Sequence, residues 1–526
     1  MKATDVLVHC LEKEGVQYVF GIMGKETLDL MDSLSKSKQI RFVNTRHEQG
    51  AAFMADVYGR LSHKPGICLA TLGPGAANLL TGIASATLDF SPVVAFIGQA
   101  GLDRQHKESH QYIDLVKLFE PATKWSAQIK DSQSIVEMVH KAFRIAKTEK
   151  PGAVILELPE NLAPQMIPDN AMESLPPPTY VPLTEDIHAA VKRINDSQKP
   201  FIIIGNGVMR GKAEKEVQAF IDYLQAPVTH TMKAKGILPK NHPCNYFTFG
   251  FNEHDEVLPG IEESDLLIVI GFDFVERLPK EWNKKKVPVI HIHAVPAESD
   301  EYYPIGMELT GAIQKTCQSM NELDINPKPW KPSGELREKI IQAYGLNETT
   351  YSSLSITAIL KAVEKLTNEN TVVLSDVGFH KVSIARTFQP KNPNKLMISN
   401  GLASMGIAIP GAIGAKLACP ADPVICITGD GGALMNFAEI ETAVRLGLSF
   451  IIIVLNDSKL KLEEKMMLQS FSHTYGTDFG NPDYVQLAKS FGIRGMRPSD
   501  IHEFEQMLDE ALRKNELTLI EINLEE

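Results

Sequence analysis

The chain has 526 residues, 44% of them hydrophobic, and its 53 Lys and Arg against 65 Asp and Glu give a net charge of −12. This composition excludes a disordered or collagen-like chain. The acidic balance disfavours nucleic-acid binding, because phosphate contacts need clustered Lys and Arg and the clusters present, such as the lysines at 284–286, are short. The length predicts about three domains.

The six cysteines are spread along the chain without CxxC spacing, which argues against a zinc site or a disulfide framework and for a reducing compartment. The N-terminus lacks the apolar segment of a signal peptide. The longest apolar stretch, 401–415, contains Pro410 and is shorter than the ~20 residues that span a bilayer. We therefore expect a cytoplasmic protein with neither membrane nor nucleic-acid partners.

The first predicted element is a helix with an apolar stripe, which we expect Thr4 to cap and Gly15 to end. Continuous apolar runs bounded by Gly or Pro follow at 67–71, 93–97 and 154–158. Such runs are typical of strands that are buried on both faces, as in a parallel sheet covered by helices.

Two proline-rich stretches, 175–182 and 326–332, divide the chain as linkers would. The strands predicted beyond the first linker are 201–204, 266–270, 289–292, 372–374, 424–427, 451–454 and 519–522. We predict an α/β protein of three tandem domains with mainly parallel sheets flanked by helices. Their predicted bounds are 1–174, 184–325 and 335–526.

The third domain contains a pattern typical of a diphosphate and metal site. Its strand 424–427 runs into Thr-Gly-Asp-Gly-Gly, and the next strand ends at Asn456-Asp457. Glycines at the carboxyl end of a strand let a diphosphate approach the backbone. Carboxylates such as Asp430 suit a hard divalent cation. The alternative is a plain glycine turn.

The runs in the other two domains are ambiguous in isolation. Glu48 stands in Arg-His-Glu-Gln-Gly before a helix of small residues, where a carboxylate is favoured by the helix dipole. The run Gly73-Pro74-Gly75, followed by Asn78, predicts a tight turn. In the middle domain, Gly-Asn-Gly at 205–207 is an incomplete dinucleotide fingerprint and indicates an ordinary strand–helix turn.

Together, in this order and spacing, these runs resemble the thiamine-diphosphate-dependent 2-oxoacid enzymes, and among them the acetolactate synthases. The runs 399–406 and 106–111 also fit, and the resemblance extends nearly end to end. It implies a carboligase, a transferase that decarboxylates pyruvate and condenses the hydroxyethyl unit with a second 2-oxoacid to give acetolactate and carbon dioxide. The alternatives are another decarboxylase, oxidase or acetyltransferase with this cofactor, and a catalytically impaired paralogue.

The resemblance also implies residue roles. Glu48 would be catalytic, through a hydrogen bond to N1′ of the aminopyrimidine. The implied cofactor-binding residues are Gly73, Asn78, Ala403, Met405, Gly429, Gly431 and Gly432. Magnesium would be held by Asp430, Asp457 and the main-chain carbonyl of Lys459. The implied substrate contacts are Gln111, Lys124, Leu460, Leu462 and Glu463; Gln111 and Lys124 could equally be surface polar residues. Each site would lie between subunits of a homo-oligomer, a dimer or a tetramer, with Glu48 from one chain and Asp430 from another.

The sequence departs from the family in three places. Gly-Ile-Met-Gly at 21–24 lacks the proline that relatives often have. Residues 271–277 differ from the Arg-Phe-Asp-Asp-Arg run of flavin-dependent synthases, so we expect activity without FAD. The segment 458–465 is unusually charged. Within it, Glu463 either approaches the pocket, with Lys459 as its partner, or faces solvent; the first case would favour an acceptor other than pyruvate.

Overall fold

The computed structural model describes residues 1–251, 255–348, 351 and 353–524. It contains two compact units. One consists of Met1–Pro177, Ser399–Arg497 and Ala511–Ile522, and the other consists of the described residues of 178–398 and 498–510 with the end of the chain. The strands form three six-stranded sheets flanked by helices, as predicted.

The first sheet has the strand order β2-β1-β3-β4-β6-β5, and all of its strands run parallel. Its strands are β1 Tyr18–Gly21, β2 Arg41–Asn44, β3 Gly66–Ala70, β4 Val93–Gln99, β5 Trp125–Gln128 and β6 Ala153–Pro159, and the helices are α1 Ala3–Lys13, α2 Leu28–Lys36, α3 Glu48–Ser62, α4 Pro74–Leu88, α5 Leu115–Phe119 and α6 Ile135–Lys147. The central strands β3, β4 and β6 are buried throughout, which explains their continuous apolar runs.

The start of α1 differs from the prediction. The helix begins at Ala3, with Lys2 at the N-cap position and without a side-chain cap. Thr4 lies inside the first turn, and its hydroxyl donates to the Asp29 carbonyl (3.1 Å). The predicted Thr4 cap is therefore wrong, because the hydroxyl has a partner on α2 instead of on its own backbone.

The second sheet belongs to the second unit and has the order β12-β11-β10-β7-β8-β9, again parallel. Its strands are β7 Pro200–Ile204, β8 Val228–His230, β9 Asn245–Thr248, β10 Leu266–Ile270, β11 Val289–His293 and β12 Ile305–Thr310, and the helices of this part of the chain are α7 Thr184–Asp196, α8 Gly207–Arg210, α9 Glu214–Leu224, α10 Leu258–Glu263, α11 Ile313–Asn321 and α12 Leu336–Ala343.

The third sheet repeats the strand order of the first. Its order is β14-β13-β15-β16-β18-β17. The strands are β13 Val372–Ser375, β14 Leu396–Ile398, β15 Val424–Gly429, β16 Ile451–Asn456, β17 Arg494–Met496 and β18 Thr518–Asn523. The helices are α13 Ile356–Leu366, α14 Phe379–Thr387, α15 Ala408–Ala418, α16 Asp430–Met435, α17 Glu439–Leu446, α18 Lys461–Phe471, α19 Tyr484–Ser490 and α20 Ile501–Lys514. Numbered within each sheet, both orders are 2-1-3-4-6-5. Every predicted strand is confirmed.

Among the helices of the described residues, none is both long enough and apolar enough to cross a bilayer.

Candidate active site

Glu48 is a buried carboxylate at the start of α3. The helix is 15 residues long, and His47 caps it by accepting the Gln49 N–H at Nδ1 (3.1 Å). Glu48 is 8% exposed, and Asn78 Nδ2 donates to its Oε2 (3.0 Å). The helix N-terminus favours a negative charge here. The cofactor roles of Glu48 and Asn78 stay predictions.

The turn that leads into Glu48 is fixed by Glu439, a residue that sequence reasoning missed. The fully buried Glu439 on α17 accepts the N–H groups of Arg46 and His47 (both 3.0 Å) and the Thr442 hydroxyl (2.7 Å). Burial raises the pKa of Glu439, against the lowering effect of these hydrogen bonds. A Glu at the start of an amphipathic helix resembles a solvent-exposed position, so the sequence carried no signal for this contact.

The Gly73 turn lies against the Gln111 backbone, and the neighbouring Gly75 lies against Glu48. Gly73 has φ +58, and a Cβ there would lie 2.7 Å from the Gln111 carbonyl oxygen. A Cβ on Gly75 would lie 3.2 Å from Glu48 Oε1. The turn therefore needs glycine, and it places the Gln111 backbone against the segment that carries Asn78.

Lys124 has its contacts elsewhere. Its Nζ donates to the carbonyls of Ile145 (2.7 Å) and Thr148 (2.5 Å) at the C-terminal end of α6, where a cation is favoured by the helix dipole. Burial lowers the pKa of Lys124 to about 8. A substrate contact for this residue stays a prediction.

The segment that precedes Ala403 is held by a second buried carboxylate. Asp89 accepts the Ser399 hydroxyl (2.8 Å) and the N–H groups of Asn400 (3.1 Å) and Gly401 (3.0 Å). The Arg60 guanidinium balances its charge at 3.1 Å. Every partner here is either a main-chain group or a side chain far away in sequence, so the motif search could not find Asp89.

Ala403 and Met405 lie in the loop that follows. Ala403 has φ +53, a conformation that costs energy in a residue with a side chain and is found most often at functional sites. A Cβ on Gly431 would lie 3.4 Å from Met405 Cε and 3.3 Å from the Phe479 ring. The structure thus brings Met405 to the glycine run that carries Asp430.

Asp430 begins α16, directly after Gly429 ends β15, and it is densely hydrogen-bonded. Its Oδ1 accepts the Gly431 N–H (2.8 Å), and its Oδ2 accepts the Ser458 N–H (2.6 Å) and Asn481 Nδ2 (2.7 Å). The Tyr484 hydroxyl donates to its main-chain oxygen (2.9 Å). Sequence reasoning missed Asn481 and Tyr484, because neither stands near a recognised motif.

Asp457 lies close to Asp430. Burial raises the pKa of the Asp457 carboxyl above its usual range, and the Asp430 charge raises it further. Asp457 Oδ1 accepts the Lys459 N–H at 3.2 Å. Two mutually repelling carboxylates form an oxygen donor set that suits a hard divalent cation. Across the described ranges, no three His, Cys, Asp or Glu side chains come together as a metal cluster, so main-chain or ligand oxygens would have to complete the coordination.

The Asn456 side chain helps to hold the residues around Asp430 in place. Its Nδ2 donates to Glu521 Oε1 (2.8 Å), and its Oδ1 accepts Asn481 Nδ2 (2.9 Å). Arg497 in turn donates to Glu521 Oε2 (2.6 Å). A chain of hydrogen bonds therefore connects Arg497 to Asp430 through Glu521, Asn456 and Asn481.

In the segment 458–465, the structure agrees with the alternative in which Glu463 faces solvent. Lys459 Nζ pairs with Glu464 (3.0 Å), as does Lys461 (2.9 Å), whereas Glu463 is exposed. The other alternative, a pair between Lys459 and Glu463, required helical spacing from Lys459, but α18 begins only at Lys461.

The two predicted leucine contacts lie in the same segment. Leu460 is half-buried, and its N–H donates to the Thr477 carbonyl (2.8 Å); Leu462 is exposed. Their substrate role, like that of Glu463, stays a prediction.

Comparison with known proteins defines the class. Residues 1–118, 187–320 and 376–522 match the N-terminal TPP-binding, central and C-terminal TPP-binding domains of thiamine pyrophosphate enzymes, respectively; thiamine pyrophosphate (TPP) is thiamine diphosphate. The chain is 32% identical to an acetolactate synthase of Bacillus subtilis (99% of this chain, 93% of the relative) and 33% identical to a probable acetolactate synthase large subunit of Methanocaldococcus jannaschii (99% and 92%). It is 28% identical to the acetolactate synthase isozyme 3 large subunit of Escherichia coli (100% and 95%). The chain therefore belongs to the thiamine-diphosphate-dependent enzymes of the acetolactate synthase type, and it is a transferase-like enzyme.

Proposed function

We propose that the protein is a magnesium- and thiamine-diphosphate-dependent carboligase that decarboxylates pyruvate and joins the two-carbon unit to a second pyruvate, giving acetolactate and carbon dioxide. The observation that carries the proposal is that one unit contains two buried carboxylates with different hydrogen-bond environments. Glu48 is buried with few donors, and Asp430 is fixed by many. Similarity along nearly the whole chain to proteins named acetolactate synthase supports the same reaction.

The residues around Glu48 would bind and orient the aminopyrimidine. When bound, thiamine diphosphate supplies the nucleophilic carbon and the electron sink. Glu48 would share a proton with N1′, while Asn78 orients the carboxylate through Oε2 (3.0 Å). Burial of Glu48 excludes the water that would otherwise compete for that proton.

The residues around Asp430 would bind the diphosphate end. Asp430, Asp457 and the main-chain carbonyl of Lys459 would hold magnesium, which accepts oxygen ligands in near-octahedral geometry. The glycines at 429, 431 and 432 have no side chains to keep a diphosphate from the backbone.

The glycine loop after β7 packs against the chain itself, which supports activity without FAD. A Cβ on Gly205 would lie 2.4 Å from the Phe272 Cα, so the glycine loop after β7 packs on the backbone after β10. The N–H of Asn206, which could have faced a phosphate, donates to the Glu276 carboxylate (3.3 Å). Purified protein that is yellow, or turnover that needs added FAD, would contradict this expectation.

The exposed face of α18 supports a homo-oligomer. None of its residues is buried, and Met466 and Phe471 are 58% and 65% exposed. Met and aromatic side chains are enriched at protein–protein interfaces. A second copy of the chain is the partner we propose, with each site shared between subunits.

A mixing experiment tests this arrangement. Glu48→Gln and Asp430→Ala chains are each expected to be inactive. If sites are shared in a dimer, each mixed dimer has one intact site, and random mixing restores about one quarter of wild-type activity. Recovery below one hundredth after subunit exchange would contradict shared sites.

Product analysis tests the reaction. Protein with pyruvate, magnesium and thiamine diphosphate should yield acetolactate and carbon dioxide in equal amounts. Acetaldehyde would indicate a simple decarboxylase, and acetate or acetyl phosphate in the presence of an oxidant or phosphate would indicate an oxidase or acetyltransferase. No turnover of any 2-oxoacid would indicate an impaired paralogue.

A second experiment tests whether the charged segment 458–465 affects the choice of acceptor. A panel of 2-oxoacid and aldehyde acceptors should be compared between wild type and Glu463→Val. Unchanged acceptor preference in the variant would exclude Glu463 from the pocket, consistent with its exposure in the chain.

A further inference from the structure

Asp89 is a buried carboxylate at the C-terminal end of α4, directly after Leu88, the last residue of the helix. The carbonyl groups at a helix C-terminus carry partial negative charge, so an anion is disfavoured there. The charge is balanced by Arg60 on α3, whose guanidinium lies 3.1 Å from Asp89 Oδ2. The stability of α4 therefore does not explain why a carboxylate stands at this position.

Asp89 binds a short segment that belongs to the third domain. Its Oδ1 accepts the N–H groups of Asn400 (3.1 Å) and Gly401 (3.0 Å), and its Oδ2 accepts the Ser399 hydroxyl (2.8 Å). Donors from three consecutive residues converge on one carboxylate. The contact therefore fixes the path of the backbone from 399 to 401.

This segment leads directly into the loop that carries Ala403. The backbone approaches α4 closely, since a Cβ on Gly401 would lie 2.3 Å from the Leu88 carbonyl oxygen. Ala403 has φ +53, a conformation that persists only where the surrounding structure maintains it. Through Gly401, Asp89 constrains the backbone that enters Ala403, which would bind the cofactor.

The other end of α4 contacts a different part of the candidate site. Asn78, near the start of the helix, donates to Glu48 (3.0 Å). At a rise of 1.5 Å per residue, Asn78 and Asp89 are about 16 Å apart along the helix axis. One helix therefore contacts Glu48 at one end and the segment before Ala403 at the other.

We propose that Asp89, although it lies in the first domain, is a positioning residue of the half-site that contains Ala403 and Asp430, and not of the half-site that contains Glu48. The inference rests on the proposed function, in which these two half-sites of one chain belong to different active sites of a dimer. Each α4 then serves two active sites, one through Asn78 and the other through Asp89.

The first test is hydrogen–deuterium exchange of the cofactor-free protein, read on peptides that cover 399–403. Asp89→Ala removes the acceptor of the Asn400 and Gly401 N–H groups. We expect these amides to exchange about tenfold faster than in wild type. Asp89→Ser, whose shorter side chain offers one hydroxyl in place of two carboxylate oxygens, serves in every measurement if the alanine variant does not fold.

Asp56→Ala is the matched control. Asp56 is buried on α3, and its Oδ1 accepts Arg60 Nε (2.7 Å), so both variants remove a carboxylate from the same guanidinium. The Asp56 carboxylate also faces the Ser85 hydroxyl of α4 (3.5 Å). Exchange at 399–403 should stay within about twofold of wild type in this variant. Equal acceleration in the Asp56 and Asp89 variants would indicate general loosening and would overturn the inference.

The second test assigns Asp89 to a half-site by mixing subunits. Asp89→Ala alone should lower kcat about 10²-fold, because small displacements of positioned groups are that costly. Mixed with Glu48→Gln, it should recover about one quarter of wild-type activity, since each mixed dimer combines the intact Glu48 of one chain with the intact Ala403 loop of the other. Mixed with Asp430→Ala, it should stay below about one twentieth, since both chains then lack the same half-site.

The outcomes separate this inference from the proposed function. If Glu48→Gln and Asp430→Ala complement each other, the shared sites stand, and any pattern for Asp89→Ala other than recovery with Glu48→Gln alone would overturn the inference. Exchange at 399–403 that matches wild type in Asp89→Ala would also overturn it. If Glu48→Gln and Asp430→Ala fail to complement each other, the shared sites of the proposed function fall, and the assignment of Asp89 falls with them.

Discussion

The first and third sheets share one strand order and differ in what their loops present. In the first, the loops after β2 and β3 place Glu48 beside Asn78 and the Gly73 turn. In the third, the loops after β15 and β16 place Asp430 beside Asp457. Ligands bind at the carboxyl ends of parallel strands. The shared strand order therefore places the loops at equivalent strand ends, and the residues in the loops determine the chemistry.

The two carboxylates differ most in their number of donors. Within the described chain, Glu48 accepts one side-chain hydrogen bond, whereas Asp430 accepts three hydrogen bonds on its carboxylate. A sparsely bonded carboxylate keeps acceptor positions for a ligand, whereas a densely bonded one is fixed in place by its donors. The two carboxylates therefore differ in how many acceptor positions they offer to a ligand.

The first and third sheets also differ in the partner of a buried glutamate on the sixth strand of each sheet. Each carries a buried glutamate, Glu157 in β6 and Glu521 in β18. Glu157 accepts the neutral amide of Gln128 (2.7 Å), whereas Glu521 is paired with the Arg497 guanidinium (2.6 Å). The third sheet therefore compensates its buried charge, and the first does not.

The largest effect is expected at Glu48. Glu48→Gln keeps the size of the side chain and the contact with Asn78 but cannot take up and release a proton. We expect kcat with pyruvate to fall by about 10³, within the range for losing an acid–base group, while cofactor affinity changes less than threefold. Steady-state kinetics with a cofactor titration check this. A kcat within tenfold of wild type would contradict the proton-transfer role of Glu48, and with it the proposed difference between Glu48 and Asp430.

Asp430→Asn should act on binding instead of proton transfer. The variant loses a charged ligand of the cation, so the affinity for thiamine diphosphate at limiting magnesium should fall about 10²-fold. Excess magnesium should recover part of the loss. Calorimetric titration of the cofactor at two magnesium concentrations measures both effects, and an unchanged affinity would exclude Asp430 from the cation site.

The smallest effect concerns Glu157 and depends on pH. Burial raises the pKa of Glu157 to about 7, against the hydrogen bonds of Gln128 and Gln99. Between about pH 4.5 and 7 the folded state therefore binds more protons than the unfolded state, and this carboxyl makes stability fall as pH rises through that window. Glu157→Gln should be neutral near pH 5 and stabilising by roughly 2–3 kcal/mol at pH 8.

Chemical unfolding at both pH values checks this, with Gln165→Ala as a control for the loss of exposed hydrogen bonds in the same unit. An equal effect of Glu157→Gln at pH 5 and pH 8 would contradict the uncompensated charge.

The sequence predicted the centre of each sheet better than its edges. The buried strands β3, β7 and β15 are continuous apolar runs with glycines after them, so their period and boundaries were visible. Strands β14 and β17 are three residues long and lie at an edge. So short a segment carries little periodic signal, and tertiary pairing defines it.

The candidate active site shows the same contrast between residues that the sequence predicted and residues that it did not. Glu48, Asp430 and Asp457 could be predicted because their spacing forms a motif. Glu439 and Asn481 could not, because their roles arise from contacts with residues distant in sequence, including the bond from the Arg46 N–H to Glu439. Burial and pairing of a polar side chain become visible only in the fold.

The most direct test of the account is the rate at which the C2 proton of bound thiamine diphosphate exchanges with deuterium, measured by quenched-flow NMR at saturating cofactor and magnesium. The account predicts that Glu48→Gln slows exchange by about 10³, while Asp430→Asn, once loaded at high magnesium, exchanges within tenfold of wild type. Exchange at the wild-type rate in Glu48→Gln, or an equal loss in both variants, would contradict the division of roles between the two carboxylates.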